Sequence, residues 1–155
     1  HYFEVLQSNL EELERLRNII NDMLFLASAD QGSKASKLTS ASLADEVATT
    51  LEYLEFILED ARVVVQVSGD ARVNIEKAHL RRALISVSNP GQPIAGEHLP
   101  RLVERFYRVD AARHHSGANH GLGLAIVKAI AQMHGGEVFV RSAGGRNTFG
   151  LYLPT

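Results

Sequence analysis

His120-Gly121-Leu122-Gly123-Leu124-Ala125-Ile126-Val127, residues 120–127, is the stretch that decides how the rest of the chain is read. Two glycines spaced by one residue stand directly before a run with helical periodicity. At a helix start such glycines leave backbone N–H groups pointing outward. Unpaired amides backed by the positive end of the helix dipole bind phosphate. Glycines also cap helices, so the pair alone leaves both readings open. No Gly-Lys-Ser/Thr follows, which excludes a P-loop, and no strand directly precedes, which excludes a dinucleotide-binding fingerprint.

Downstream, Leu124, Ile126, Val127, Ile130, Ala131 and Met133 predict a helix that ends at Gly135-Gly136. Glu137 to Arg141 and Thr148 to Leu153 read as strands joined by a hairpin at Ala143–Asn147. Upstream, residues 110–120 form a polar, lid-like stretch holding His114, His115 and His120. Imidazoles bind zinc or copper, yet a solvated His-rich loop explains the same residues, and no metal ligand is assigned. Leu99 to Val109 reads as a short apolar helix, and Asn89-Pro90-Gly91-Gln92-Pro93 as a loop. His134 suits a helix C-terminus, where a cation is favoured; His79 and His98 read as surface residues.

Residues 1–29 predict a helix on Val5, Leu6, Leu10, Leu13, Leu16, Ile19, Ile20, Met23, Leu24 and Leu26. That stripe is too rich for a lone surface helix and points to half of a helical hairpin or dimeric coiled coil. A polar stretch over 30–42 reads as a linker, with an edge strand beginning near Leu38–Ser40. Ser42 is placed to cap a helix over Leu43–Asp60, with Asp45 and Glu46 in its first turn and Val47, Leu51, Leu54, Ile57 and Leu58 as its buried stripe. Strands are expected at Val63–Val67 and Arg72–Ile75, and a helix over Glu76–Leu84. There Ala83-Leu84 runs straight into the alternating Ile85-Ser86-Val87-Ser88 with no turn residue between. Helix-to-strand connections normally take a few residues, so either these boundaries are misplaced or a segment is missing between 84 and 85.

The 155 residues suit one domain with an appendage, and 45% hydrophobic with 22% charged residues is a globular balance. A net charge of −2 and scattered basic residues give no nucleic-acid surface. With no cysteines the chain has no disulfides, which fits a reducing compartment. No apolar run reaches the ~18–20 residues that span a bilayer, and no signal peptide is present. The chain starts at His1, which points to a truncated or processed polypeptide.

Taken in order, the motifs resemble the GHKL-type ATP-binding domain of bacterial sensor histidine kinases. Asn89 to Ile94 is similar to the family's first glycine motif, and Leu102 to Asp110 to its phenylalanine motif, with Val103 where Phe is usual. Gly121 to Leu124 is similar to the second glycine motif, and Gly145 to Phe149 to the closing G-x-x-T-x-F element. Asp22 to Ala27 resembles the second helix of a dimerisation and phosphotransfer domain. Asn-Pro-Gly and Phe-Tyr-Arg-Val-Asp look like the heavy-metal-resistance sensor kinases (copper/silver or zinc/cadmium/cobalt).

The resemblance implies an α/β two-layer sandwich of the GHKL (Bergerat) type: a mixed, largely antiparallel sheet with helices on one face, preceded by an N-terminal helix. Residues 1–29 would be a remnant of the phosphotransfer helix, 30–42 the linker and edge strand, and 43–155 the catalytic domain. It implies a protein-histidine kinase that binds ATP and Mg2+. Nucleotide contacts fall on Asn89, Gly91, Tyr107, Arg108, Gly121, Leu122, Gly123, Leu124 and Thr148. Asn89 would read adenine with an amide that both donates and accepts. The γ-phosphate would pass to a histidine outside this chain and then to a response regulator, in a parent dimerised through its N-terminal helix at the cytoplasmic face of the inner membrane. The family's magnesium-binding helix belongs between Leu84 and Ile85, so a chain contiguous there is expected to be catalytically inactive. The alternatives are another GHKL ATPase, or a non-catalytic interaction domain that keeps the fold.

Overall fold

A computed structural model describes residues 2–86, 94–109, 120–143 and 146–154. Its first element, helix α1, runs over Tyr2–Asp30, as the apolar spacing requires. Only part of its stripe is used within the chain. Leu26 is buried, with Ile19, Met23 and Phe25 packed beside it, whereas Leu6, Leu10, Leu13, Leu16, Ile20 and Leu24 face solvent.

Strand β1 (Thr39–Ser42) pairs antiparallel with β2 (Arg72–Ile75), setting Thr39 opposite Ile75 and Ala41 opposite Val73. Between them runs α2 (Leu43–Asp60). Ser42 caps it as expected, accepting from the Asp45 amide at 3.1 Å. Its hydroxyl donates in turn to Asp70, which also accepts the Ala44 amide at 3.0 Å. These bonds from Ala44 and Ser42 hold the Asp70 carboxyl below its usual range.

Of the stripe expected on α2, Val47, Leu51, Leu54 and Leu58 are half-buried. Glu46 and Thr50 are buried while Ile57 is 63% exposed. Glu46 tolerates burial because Lys77 pairs with it at 2.5 Å. Val63–Val67 is not a strand, and Val64 is 85% exposed. A strand needs a neighbour for its backbone groups, and none lies beside this one among the described residues. Helix α3 (Lys77–Ser86) crosses the suspicious join without a break, so Ile85 and Ser86 are helical and not the start of a strand. Val87 and Ser88 lie outside the described residues.

Leu99–Val109 is also not the expected helix. A single 3-10 turn, Leu99–Arg101, is followed by bends that bring Phe106 round to a left-handed φ of 63°. Helix α4 (Gly123–Met133) is the centre of the main core, with Ala125, Ile126, Val127, Ala129, Ile130 and Ala131 buried. It stops as the two glycines demand. The Gly136 amide reaches the Ala131 carbonyl at 2.8 Å and the Gly135 amide the Gln132 carbonyl at 2.9 Å, a Schellman closure with Gly135 at φ 74°. Strands β3 (Glu137–Ala143) and β4 (Arg146–Tyr152) then form the predicted hairpin, with Val140 opposite Phe149 and Arg141 opposite Thr148. The described strands therefore fall in two antiparallel pairs.

Gly136 lies so close to β4 that a Cβ there would stand 1.9 Å from the Tyr152 carbonyl oxygen, while one on Gly135 meets nothing nearer than 3.8 Å. Gly136→Ala should therefore cost about 3 kcal/mol or more, and Gly135→Ala, penalised only for its left-handed backbone, about 1 kcal/mol. Urea denaturation midpoints of the two variants check the order.

Candidate functional site

The turn before α4 is defined by backbone contact. Gly121 has φ 72°, and a Cβ on it would fall 2.9 Å from the Phe106 carbonyl carbon and 3.0 Å from the Tyr107 carbonyl oxygen. The Phe106 N–H donates to the Gly121 carbonyl at 2.9 Å. The second glycine motif and the phenylalanine motif are thus laced together along their main chains. Gly123 begins α4, and no side chain caps that helix start. Leu122 is buried in the core and anchors the turn from below.

The other expected site residues gather around the same region in part. Tyr107 is half-buried; its hydroxyl meets His98 Nδ1 at 2.5 Å, and the Arg101 guanidinium lies 4.2 Å over its ring. Arg108 is exposed beside it, and Thr148 is exposed on β4 opposite Arg141. Asn89 and Gly91 fall outside the described residues, as do His114, His115 and the glycines before Arg146. The near end of the first glycine loop is placed, however. Ile94 donates its amide to Ser142 Oγ at 3.2 Å, and Ser142 bonds Asn147, the residue before Thr148, at 2.8 Å. Val103, Leu124 and Phe149, one from each of three motifs, line a single cavity of about 280 Å³ together with Leu80, Ala83 and Leu84. Its walls are aliphatic and aromatic, so it suits hydrocarbon or a ring and not a triphosphate.

A second polar cluster was not visible in the sequence, because its members are far apart in the chain and none sits in a motif. His134, at the end of α4, is held between two backbone groups. Its Nε2 accepts the Glu76 amide at 3.0 Å, which leaves the proton on Nδ1 to donate to the Ile130 carbonyl at 2.8 Å. His79 is not on the surface. Its side chain is 15% exposed, its ring packs edge-on to Phe25 and His134, and its Nδ1 is buried without a partner. Burial chiefly lowers its pKa, with His134 and Arg82 adding to the effect against the opposing pull of Glu76. Glu76 accepts the Ser36 and Lys37 amides at 3.2 and 3.3 Å. Desolvation works against its charge, but those amides together with His79 and Lys37 prevail and lower its pKa. Arg82 joins the same junction by lying 4.2 Å over Phe25 and pairing with Asp22 at 2.6 Å. Among the described residues no group of three His, Cys, Asp or Glu side chains is arranged to hold a metal ion.

Residues 45–155 match the family model described as "Histidine kinase-, DNA gyrase B-, and HSP90-like ATPase". The chain is 40% identical to the sensor histidine kinase CusS of Escherichia coli O157:H7, over 97% of this chain and 38% of that protein. It is 36% identical to the sensor protein IrlS of Burkholderia pseudomallei, over 99% and 39%, and 32% identical to the sensor protein CzcS of Cupriavidus metallidurans, over 99% and 38%. The chain thus spans about two fifths of the length of these curated relatives. The match to CusS runs over 181 positions, more than the 155 residues present, so at least 26 of them face gaps in this chain. In fold it is similar to the Acinetobacter baumannii histidine kinase AdeS, with a TM-score of 0.73 and 19% identity over 96% of this chain and 82% of that one. It is also similar to the catalytic domain of the histidine kinase ThkA, with a TM-score of 0.61 and 16% identity over 77% and 96%.

His79 makes stability depend on pH. Its folded pKa lies below the ordinary value near 6.5, so the unfolded chain takes up the proton first as pH falls. Its contribution is complete above about pH 6.5 and is lost as pH drops through that value toward the lower folded one. Glu76 adds a second loss at more acid pH, because its depressed pKa favours the fold only while it is ionised. The denaturation midpoint should therefore decline from about pH 7.5 to about pH 5, and His79→Phe, which keeps a ring against Phe25, should flatten the first part of the decline.

Proposed function

The chain belongs to the histidine kinase-, DNA gyrase B- and HSP90-like ATPase family, and from that premise we propose that it is the ATP-binding catalytic domain of a two-component sensor histidine kinase serving heavy-metal resistance. The observation that carries the nucleotide site is the Gly121 turn, whose backbone is pressed against Phe106 and Tyr107 with room for no side chain. Such a turn at the uncapped start of α4 offers amide hydrogens and the helix dipole to a polyphosphate. Gly121, Leu122, Gly123 and Leu124 would hold the phosphates. Arg108 would supply charge, and Tyr107, steadied by His98 and Arg101, would flank the nucleotide. Asn89, Gly91 and Thr148 would read the base from the side that the Ile94–Ser142 bond draws toward the β3–β4 hairpin. When bound, ATP supplies the phosphoryl group. The residues described above bind and orient it, and the accepting histidine and the response regulator lie outside this chain.

Among the described residues no cluster of three ligating side chains is arranged for magnesium. We assign its ligands to a segment missing between Leu84 and Ile85. Three features support that reading: the gaps against CusS, the apolar cavity bordered by Leu84, and the exposure of Ile57, Val63, Val64, Val65 and Val67. The domain limits that follow are 1–29 for the phosphotransfer helix remnant, 30–42 for the linker and edge strand, and 43–155 for the catalytic domain. The names of CusS, IrlS and CzcS as sensors support a sensory parent; the metal-resistance context, a catalytic part facing the cytoplasm and dimerisation through α1 rest on the resemblance of the motifs. The missing segment favours one further outcome: the 155-residue chain binds nucleotide without transferring phosphate.

Gly121→Val should abolish binding of a fluorescent ATP analogue while circular dichroism stays native. Gly123→Val should do the same. Asn89→Ala should weaken binding by the ~1–3 kcal/mol of a lost buried hydrogen bond. Unchanged affinity in both glycine variants would remove the site.

A further inference from the structure

Helix α1 touches both chain segments that meet at the Gly121 turn. Arg15 donates its Nε–H to His120 Nε2 at 2.6 Å, and His120 directly precedes Gly121. Arg105, directly before Phe106, pairs with Asp30 at 2.6 Å and donates to the Leu26 carbonyl at 3.4 Å. The two anchor points on α1 are fifteen residues apart, roughly 22 Å along the helix axis. The apolar contact of Leu26 with α4 lies at the Asp30 end. The Arg15 end, where Leu10, Leu13 and Leu16 stay exposed, has the His120 bond to hold it to the body.

That bond has a protonation requirement. A guanidinium donates and does not accept, so His120 Nε2 must carry a lone pair. A proton placed there removes the acceptor and sets two cations against each other. The charged groups facing the ring are Arg15, Glu12 and Asp22 of α1 and Arg108 of the turn segment. Burial, then Arg15, disfavours the imidazolium, with Arg108 adding to them, while Asp22 and Glu12 favour it; the balance keeps His120 easier to leave neutral than an exposed histidine. Glu12 already pairs with the guanidinium at 3.6 Å on the same helix face and keeps it once His120 lets go.

We propose that the Arg15–His120 hydrogen bond is a proton-released latch that holds the N-terminal half of α1 against the phosphate turn. In the neutral form the helix is closed on the turn. In the protonated form Arg15 keeps only Glu12, α1 swings free at that end, and the His120 imidazolium stands beside Gly121. A polyphosphate there favours that imidazolium, so nucleotide binding and helix release reinforce one another. This last link rests on the nucleotide site proposed above, and the latch itself does not.

The chain has no cysteines, so spin labels on Asn9→Cys in α1 and Gln132→Cys in α4 report the distance between the two helices by pulsed electron paramagnetic resonance. Between about pH 8 and about pH 5.5, the range in which histidine titrates, the long-distance population of the otherwise native chain should rise several-fold. His120→Gln, whose amide oxygen still accepts from Arg15 but does not titrate, should stay at the short distance throughout. Arg15→Ala should be long at both ends. An unchanged distance in the native chain overturns the latch. So does a pH response that survives His120→Gln, which would belong to His79 beside Phe25. Adding ADP near pH 7 should raise the long-distance population of the native chain and leave Arg15→Ala unaltered. If the pH response appears while ADP binds none of these proteins, the latch stands and the nucleotide site fails.

Discussion

The contact on which the site depends is between two main chains. Gly121 lies against the carbonyls of Phe106 and Tyr107 at a distance that leaves no volume for a methyl group, and Phe106 takes a left-handed φ to meet it. A non-glycine residue in that conformation costs about 1–2 kcal/mol. The Phe106–Gly121 hydrogen bond and the burial of Leu122 and the α4 face offset that cost. The strain explains why Leu99–Val109 does not continue as a helix despite its apolar residues. A helical Phe106 would point its N–H back along its own segment, and the Gly121 carbonyl would lose its donor.

The same turn is where α1 is fastened. The polar ties on this helix are unequal. Arg82 and Asp22 are each one-third exposed and are backed by the Arg82–Phe25 stacking, whereas Asp30 and Arg15 are more open to water. Exposed ion pairs contribute little by themselves, so the apolar seat of Leu26, Met23 and Ile19 on α4 fixes the helix and the charged contacts set its angle. The rest of the α1 stripe remains in solvent, as expected of a helix that completes its packing with another helix.

Histidine chemistry separates the two ends of α4. At its C-terminus His134 is committed to one tautomer by a backbone donor and a backbone acceptor, and it holds the start of α3 in place. Near its N-terminus His120 has a side-chain partner, Arg15, that also pairs with Glu12. Backbone groups cannot leave their positions without unfolding, and a guanidinium on a flexible stem can. The contact of His134 is therefore fixed by the fold, whereas that of His120 can open.

Local signals were enough for much of the fold. Ser42 as a cap, the α1, α2 and α4 helices, the Gly135-Gly136 stop and the β3–β4 hairpin all follow from periodicity and turn chemistry within a few residues. The order of glycine motifs likewise carried the family. What the sequence could not decide were features set by neighbours distant in the chain. The Val63–Val67 stretch is rich in β-forming valines but has no strand to pair with among the described residues, and Ile57 sits on a helical stripe yet is exposed. His79 and His134 gained their roles from each other, from Phe25 and from Glu76. Propensity resides in a residue and its near neighbours, whereas burial, tautomer and strand pairing belong to whatever the folded chain brings alongside.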